Sequence, residues 1–375
     1  MAFPKRQQAP SVNRGVVQPV KTKPQTFVNA QPFTHPSPVL PRLDRIIKPD
    51  AEPEICVIRS QGGIGDVLMT LPTVRAIKQK YHGPVDFATD FDYLDGALPT
   101  VLQGNPNIRN VIPYRNVTQH LYDAVLDLTC PCIVHEQPHA PPIHRIDLFA
   151  RHAGIQLTDK KIDFYHTEEE LTRAKEFLEE RFLLGMRNFK LILVNPSSST
   201  NRRDVPINVL PRLIKDLLLQ NKDAKALVFT HYTDCLEARN VNWGDIAGVI
   251  QMKDYKVRDI AAFMHYCDMV VCPDTALLHI ASALDKKTVT FFGPTDPRAR
   301  INYHPKAVAI WTAQGLSCGP CWYSSCPSGL LCWKRLEYPV ALSTMNSVLN
   351  NSVISPHSDI VRGGSLGKKD EFEVL

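Results

Sequence analysis

One unit recurs along this chain and limits what it can become. It is a short apolar run, then a polar or glycine-rich turn, then a segment with apolar residues at helical spacing. Residues 55–59 lead through the glycine turn 61–66 into 67–80. Residues 191–194 lead through the polar loop 195–206 into 209–220, and residues 268–272 lead through the turn 273–276 into 280–284. An uninterrupted apolar run is a strand covered on both faces, and the helix after it carries the chain back to begin a parallel neighbour. Further strands are expected at 84–89, 110–114, 122–128, 161–165, 226–230, 249–252 and 287–292. Helices are expected at 93–101, 146–153, 168–184, 233–240 and 257–266. Two blocks of this texture, with a hinge at 185–189 between them, make the expected fold class α/β: two Rossmann-like, doubly wound domains with a cleft between them.

The ends of the chain differ in texture. Residues 1–53 hold ten of the thirty prolines, and residues 1–50 hold eight Lys and Arg against two acids. Such a segment buries too little apolar surface to fold alone and reads as a disordered, basic, Pro-rich tail. Residues 1–50 carry more positive charge than the chain's net +5, so the rest is close to neutral and global charge is no argument for nucleic acid. The first domain is expected at 54–188 and the second at 189–340, with a polar C-terminal tail at 341–375. No apolar run reaches the ~18 residues of a membrane span, and no signal peptide is evident at the N-terminus.

Three turns carry candidate chemistry, each beside a plainer reading. Gly62, Gly63 and Gly65 suit a phosphate or sugar at a helix start, or simply close strand–helix packing. Asp66 behind them is a candidate acid or base, or a first-turn carboxylate favoured by the helix dipole. Ser198, Ser199 and Arg203 offer hydroxyls and a guanidinium to a diphosphate, or form a flexible polar loop. Asp274, Thr275, Ala276 and His279 sit at a strand-to-helix junction, which suits a phosphate, although Asp274 or Thr275 as a helix cap is the commoner arrangement. A formal HExxH motif spans His135 to His139, but Pro138 inside it forbids the helix that would align the histidines. His135, His139 and His144 are therefore expected in a loop near an acceptor substrate.

Six cysteines (Cys56, Cys130, Cys132, Cys235, Cys267, Cys272) are scattered, as reduced core thiols of a cytosolic protein would be. Four more, Cys318, Cys321, Cys326 and Cys332, cluster in 318–332. They read first as reduced thiols in a compact loop, next as a structural zinc site, and last as an iron–sulfur cluster.

The ordered set of motifs resembles one family. Gly63-Ile64-Gly65-Asp66-Val67-Leu68 with Thr70-Leu71-Pro72, Gly104-Asn105-Pro106 with Val111 to Tyr114, Pro273-Asp274-Thr275 through His279-Ile280-Ala281, Phe292 to Pro297 and the cysteine-rich C-terminal segment are similar to the lipopolysaccharide heptosyltransferases of glycosyltransferase family 9. The resemblance covers roughly residues 54–336. It implies a GT-B fold and inverting, metal-independent transfer of heptose from an ADP-sugar to a hydroxyl of a lipopolysaccharide core. It also implies a cytoplasmic enzyme meeting its glycolipid acceptor at the inner membrane surface. Asp66 then matches the general base, and Ser198, Ser199 and Arg203 match the donor diphosphate site. Asp274, Thr275, Ala276 and His279 match the donor-binding turn. Two departures stand out: Ala276 replaces a usual glycine, and Arg203-Asp204-Val205-Pro206 lacks the family's aromatic residue. These departures leave two alternatives. One is a GT-B glycosyltransferase with another nucleotide-sugar and a protein or modified nucleic-acid acceptor, and the other is an inactive nucleotide-sugar-binding protein of the same fold.

Overall fold

The computed structural model describes residues 42–48, 52–129, 142–182, 189–231, 240–321, 326–351 and 359–362. Residues 185–188 of the expected hinge 185–189, residues 233–239 of the expected helix 233–240, Cys130, Cys132, Cys235, His135, His139 and most of the tail 1–53 lie outside the described residues.

The first sheet holds four parallel strands: β1 (Ile55–Arg59), β2 (Val85–Thr89), β3 (Val111–Pro113) and β4 (Ala124–Asp127). Their order is β3-β2-β1-β4. The second sheet holds seven: β5 (Lys190–Val194), β6 (Ala224–Thr230), β7 (Val249–Lys253), β8 (Met269–Pro273), β9 (Lys287–Phe292), β10 (Ala307–Trp311) and β11 (Asp359–Arg362). Their order is β11-β10-β9-β8-β5-β6-β7, again parallel throughout. Both sheets are doubly wound, because each reverses its strand order once: beside β1 in the first, and between β5 and β8 in the second. A parallel sheet reverses where successive crossovers pass to opposite faces, and the crevice left there is the natural ligand site.

The helices are α1 (Leu43–Ile46), α2 (Ile64–Tyr81), α3 (Ala97–Thr100), α4 (Arg145–Ala153), α5 (Glu168–Phe182), α6 (Leu210–Gln220), α7 (Val257–Tyr266), α8 (Ala276–Ala283), α9 (Leu331–Lys334) and α10 (Tyr338–Leu349). In α6, Leu210, Leu213, Ile214, Leu217 and Leu218 are buried along one stripe, as the 3.6-residue period requires. Helix α2 packs on α4 in its own half and on α8 of the other, so it buries residues on several sides.

Four expectations need correction. Residues 161–165 form no strand; Arg75 takes the carbonyls of Asp159 (3.2 Å) and Lys161 (2.9 Å), and Arg258 takes that of Tyr165 (2.8 Å). Arginine donors therefore satisfy this backbone in place of a ladder. Helix α5, expected within the first domain, packs on α7 of the second, through the Glu170–Arg258 ion pair and the Phe177–Phe263 ring contact. Residues 341–375 are not all tail: Ala341, Met345, Val348 and Leu349 of α10 are buried at helical spacing, and β11 pairs with β10. Within residues 1–53, α1 buries Leu43 in the core, so this part of the tail is folded. Cys56, Cys267 and Cys272 are free and buried, as expected of core thiols. Among the described residues, no helix is long and apolar enough to cross a membrane.

Candidate active site

The carboxyl ends of β1, β5 and β8 sit at the reversal points of their sheets, and the chemically rich turns follow these strands. One cavity of about 440 Å3 lies between them. Gly63, Gly65 and Asp66 line it from the first half. Ser198, Ser199, Arg203, Asp274, Thr275, Ala276 and His279 line it from the second. Gly62 is exposed and does not line the cavity. Its φ of +105° suits glycine, and a Cβ there would meet Arg59 Nη2 and Asp66 Oδ2, each at 2.7 Å. Gly65 is needed for another reason: a Cβ would come within 2.6 Å of His279 Cδ2, so the bare glycine lets α2 and α8 meet edge to edge.

Asp66 is the third residue of α2. Its Oδ2 accepts a hydrogen bond from the Gly63 N–H at 3.1 Å, the first-turn role that helix-dipole chemistry predicts. Its Oδ1 is in contact with the Arg145 guanidinium, and Arg59 Nη2 lies 3.7 Å from Oδ2. Burial pushes its pKa up, but Arg145, Arg59 and Arg300 outweigh burial and hold it below the ordinary carboxylate value. A pKa raised by closure of the cleft, one way to tune a base, is not what this arrangement produces.

On the opposite side the plain cap reading fails. Thr275 is the N-cap of α8 but makes no side-chain cap bond, and Thr275, Ala276 and Leu277 at this helix start line the cavity. Asp274 is turned elsewhere. It is 3% exposed, accepts from Thr295 Oγ1 at 2.9 Å, and pairs with Arg203 Nη1 at 3.1 Å. Arg300 Nε is 3.8 Å away. Burial pushes the Asp274 carboxyl up, yet Arg203 and Arg300 hold it well below its usual range. Arg203 is then fixed along its whole fork: Nη2 donates to Ser199 Oγ at 2.6 Å and Nε to Thr200 Oγ1 at 3.1 Å. Ser198 N–H donates to Asp204 Oδ1 at 2.6 Å, so Asp204, which stands beside the missing aromatic, braces the loop. His279 is 3% exposed, and burial lowers its pKa to about 3, so the ring is neutral at pH 7.

Two site residues escaped the sequence reading. Arg145 and Arg300 both line the cavity, yet neither lies in a glycine turn or a hydroxyl run. The one available signal was an arginine just inside a helix start, which is too common to single out. His144, expected in the acceptor loop, is instead the buried N-cap of α4, where its Nδ1 accepts from Ile146 N–H at 3.3 Å.

The cysteine cluster stands apart from this cavity. Cys318, Cys321, Cys326 and Cys332 line a separate space of only about 20 Å3, beside Arg202 and Pro294. All four are free, and among the described residues no group of three or more His, Cys, Asp or Glu side chains stands as a metal site.

Comparison with known proteins bears on the family and the fold. The profile of glycosyltransferase family 9 (heptosyltransferase) matches residues 135–331, more than half of the chain. No curated protein matches. A glycosyl transferase family 9 structure from Veillonella parvula is 17% identical, with 82% of this chain and 99% of that one covered and a TM-score of 0.63. ADP-heptose lps heptosyltransferase II of E. coli is 16% identical, with 80% and 99% covered and a TM-score of 0.54. The iron-containing dodecameric glycosyltransferase TibC from enterotoxigenic E. coli is 12% identical, with 82% and 78% covered and a TM-score of 0.57.

Proposed function

The chain belongs to glycosyltransferase family 9, and from that premise we propose that it is an inverting glycosyltransferase. It moves a sugar, heptose by kinship, from an ADP-sugar to a hydroxyl of a lipopolysaccharide core. The observation that supports this most is the single cavity into which Asp66 enters from one half and Arg203 with the start of α8 from the other.

The chemistry follows from that opposition. The acceptor hydroxyl oxygen attacks the anomeric carbon, and Asp66 takes its proton. The new carbon–oxygen bond forms as the anomeric bond to the diphosphate breaks, and the leaving nucleotide carries off the electron pair. Attack from the face opposite the leaving group inverts the centre. Arg203, already oriented by Ser199, Thr200 and Asp274, meets the charge on the departing diphosphate together with the N–H groups at the start of α8. Guanidinium and amide groups do here what a metal ion does in other transferases. Ala276 keeps the N–H that a glycine would offer and adds a methyl to the cavity wall, so the donor must fit beside it. In this reading the protein works in the cytoplasm and meets its glycolipid acceptor at the inner membrane surface. The clustered cysteines are reduced thiols. Metal analysis of the purified protein tests this against structural zinc, since one zinc per chain would replace the thiol reading.

The decisive experiment incubates the protein with labelled ADP- and UDP-sugars and scores transfer to lipopolysaccharide core, to DNA and to water. Transfer from ADP-heptose to the core is the expected result. Transfer to DNA alone would sink the lipopolysaccharide reading, and no turnover with any donor would leave a binding protein of the same fold. Thermal shift with each nucleotide reports the donor independently.

A further inference from the structure

A general base needs an oxygen that the acceptor hydroxyl can reach, and Asp66 does not stand open. Its Oδ2 is taken by the Gly63 N–H at 3.1 Å, with Arg59 Nη2 3.7 Å away. Its Oδ1 is closed by Arg145. The two arginines are not equivalent. Arg59 is built into the first sheet: its Nη1 donates to the carbonyls of Leu128 (2.6 Å) and Thr129 (2.5 Å), and its guanidinium lies over the Phe149 ring. Those bonds join the ends of β1 and β4 at the reversal point, so Arg59 is a brace. Arg145 stands on the wall of the cavity with 15% of its side chain exposed, in the space that substrates would fill.

The place of Arg145 is set from both halves. It is the first residue of α4, directly after the buried N-cap His144. The His144 ring packs on Tyr303 of the second half with centroids 4.5 Å apart. One turn further into α4, Asp147 accepts from the Tyr303 hydroxyl at 2.5 Å and pairs with Lys160 at 2.9 Å. The start of α4 is thus pinned where the halves meet, and Arg145 is carried with it to Asp66.

We propose that Arg145 is a positioning residue for the transfer: its guanidinium holds the Asp66 carboxylate ionised and fixed in orientation until the acceptor hydroxyl displaces it from Oδ1. This rests on Asp66 being the base. Around Asp66 stand Arg59 from β1, Arg145 from α4, Arg300 beyond β9, His279 from α8 and Tyr93 beside Gly63. The arginines stay charged at all working pH values, and burial keeps His279 neutral down to about pH 3. Tyr93 is also neutral, because burial and the Asp66 charge raise its pKa. In the acid range the charges that change in this cluster are those of Asp66 and, near pH 3, His279; Arg145 is in contact with Asp66, so its loss removes a cation that favours the ionised carboxylate.

The test compares wild type, Arg145→Gln and Arg145→Lys. The pH dependence of kcat/KM is measured for transfer from ADP-heptose to lipopolysaccharide core. The Asp66 carboxyl is titrated in parallel by carbon-13 NMR, assigned with Asp66→Asn. In Arg145→Gln the acid limb of the profile and the Asp66 titration both move to higher pH, and ADP binding is unchanged. Arg145→Lys, which keeps the charge, moves both back toward wild type. A residue with only a structural role would lower activity at every pH without moving the limb. If the profile and titration of Arg145→Gln coincide with wild type, the proposal is overturned. If wild type transfers nothing, the functional reading fails, while the NMR titration still decides the role of Arg145.

Discussion

Asp66 and Asp274 look alike in sequence and come to opposite uses. Each sits where a strand passes into a helix, each is largely buried, and each has arginines that hold its carboxyl below the ordinary range. Asp66 enters the cavity from the first turn of α2 and keeps 14% of its side chain exposed. Asp274 keeps 4% exposed and spends its oxygens on Arg203, Thr295 and Arg300. In the proposed reading one carboxylate meets the acceptor, while the other serves to aim a guanidinium. The difference lies in exposure and in what each oxygen touches, since the pKa direction is the same for both.

Three measurements would break or sharpen that contrast. The largest effect belongs to Asp66→Ala: kcat for transfer should fall by about 10²–10⁴-fold, with nucleotide binding by calorimetry retained. Loss of binding instead would move Asp66 out of the role of base. Asp274→Ala should act on stability and donor affinity together. Removing one partner of a buried ion pair costs about 3–5 kcal/mol, read as a lower urea midpoint, and a freed Arg203 should weaken nucleotide binding. An Asp274→Ala protein as stable as wild type would mean that the pair with Arg203 is not formed.

The smallest effect is a dependence on pH. Burial depresses the pKa of His279 to about 3, of His144 to about 4 and of His304 to about 3. The unfolded chain takes up these protons near pH ~6.5 while the native state does not. Stability is therefore fully present above that value and falls steadily as pH drops toward 4. Asp274 acts lower: its contribution is present above pH ~4 and is lost as pH falls through its depressed native value. A urea midpoint that is flat from pH 7 to pH 5 would rule out the neutral, buried imidazoles.

Most of the strands and the candidate turns were legible in the chain itself, because buried parallel strands need unbroken apolar runs and close helix starts need glycine. The 161–165 segment was misread because its apolar residues do alternate plausibly, while the arginines that satisfy its backbone, Arg75 and Arg258, lie far off in sequence. Helix α10 was missed because only four of its twelve residues are buried and polar residues crowd its stretch from Ser343 to Ser347. The cysteine cluster, conspicuous by its spacing, lines a small separate space away from the cleft.

By itself the sequence determined the α/β class, the parallel strands, the glycine positions and the three turns worth attention. Those are local properties, set by side-chain pattern and backbone freedom. Only the tertiary structure decided which turns share a cavity, because strand order, and hence the reversal points beside β1 and between β5 and β8, is a long-range choice. It alone brought Arg145 and Arg300 to the site and gave the two aspartates their different partners. A carboxylate's chemistry depends on charges within a few ångströms, and those come from residues distant in the chain.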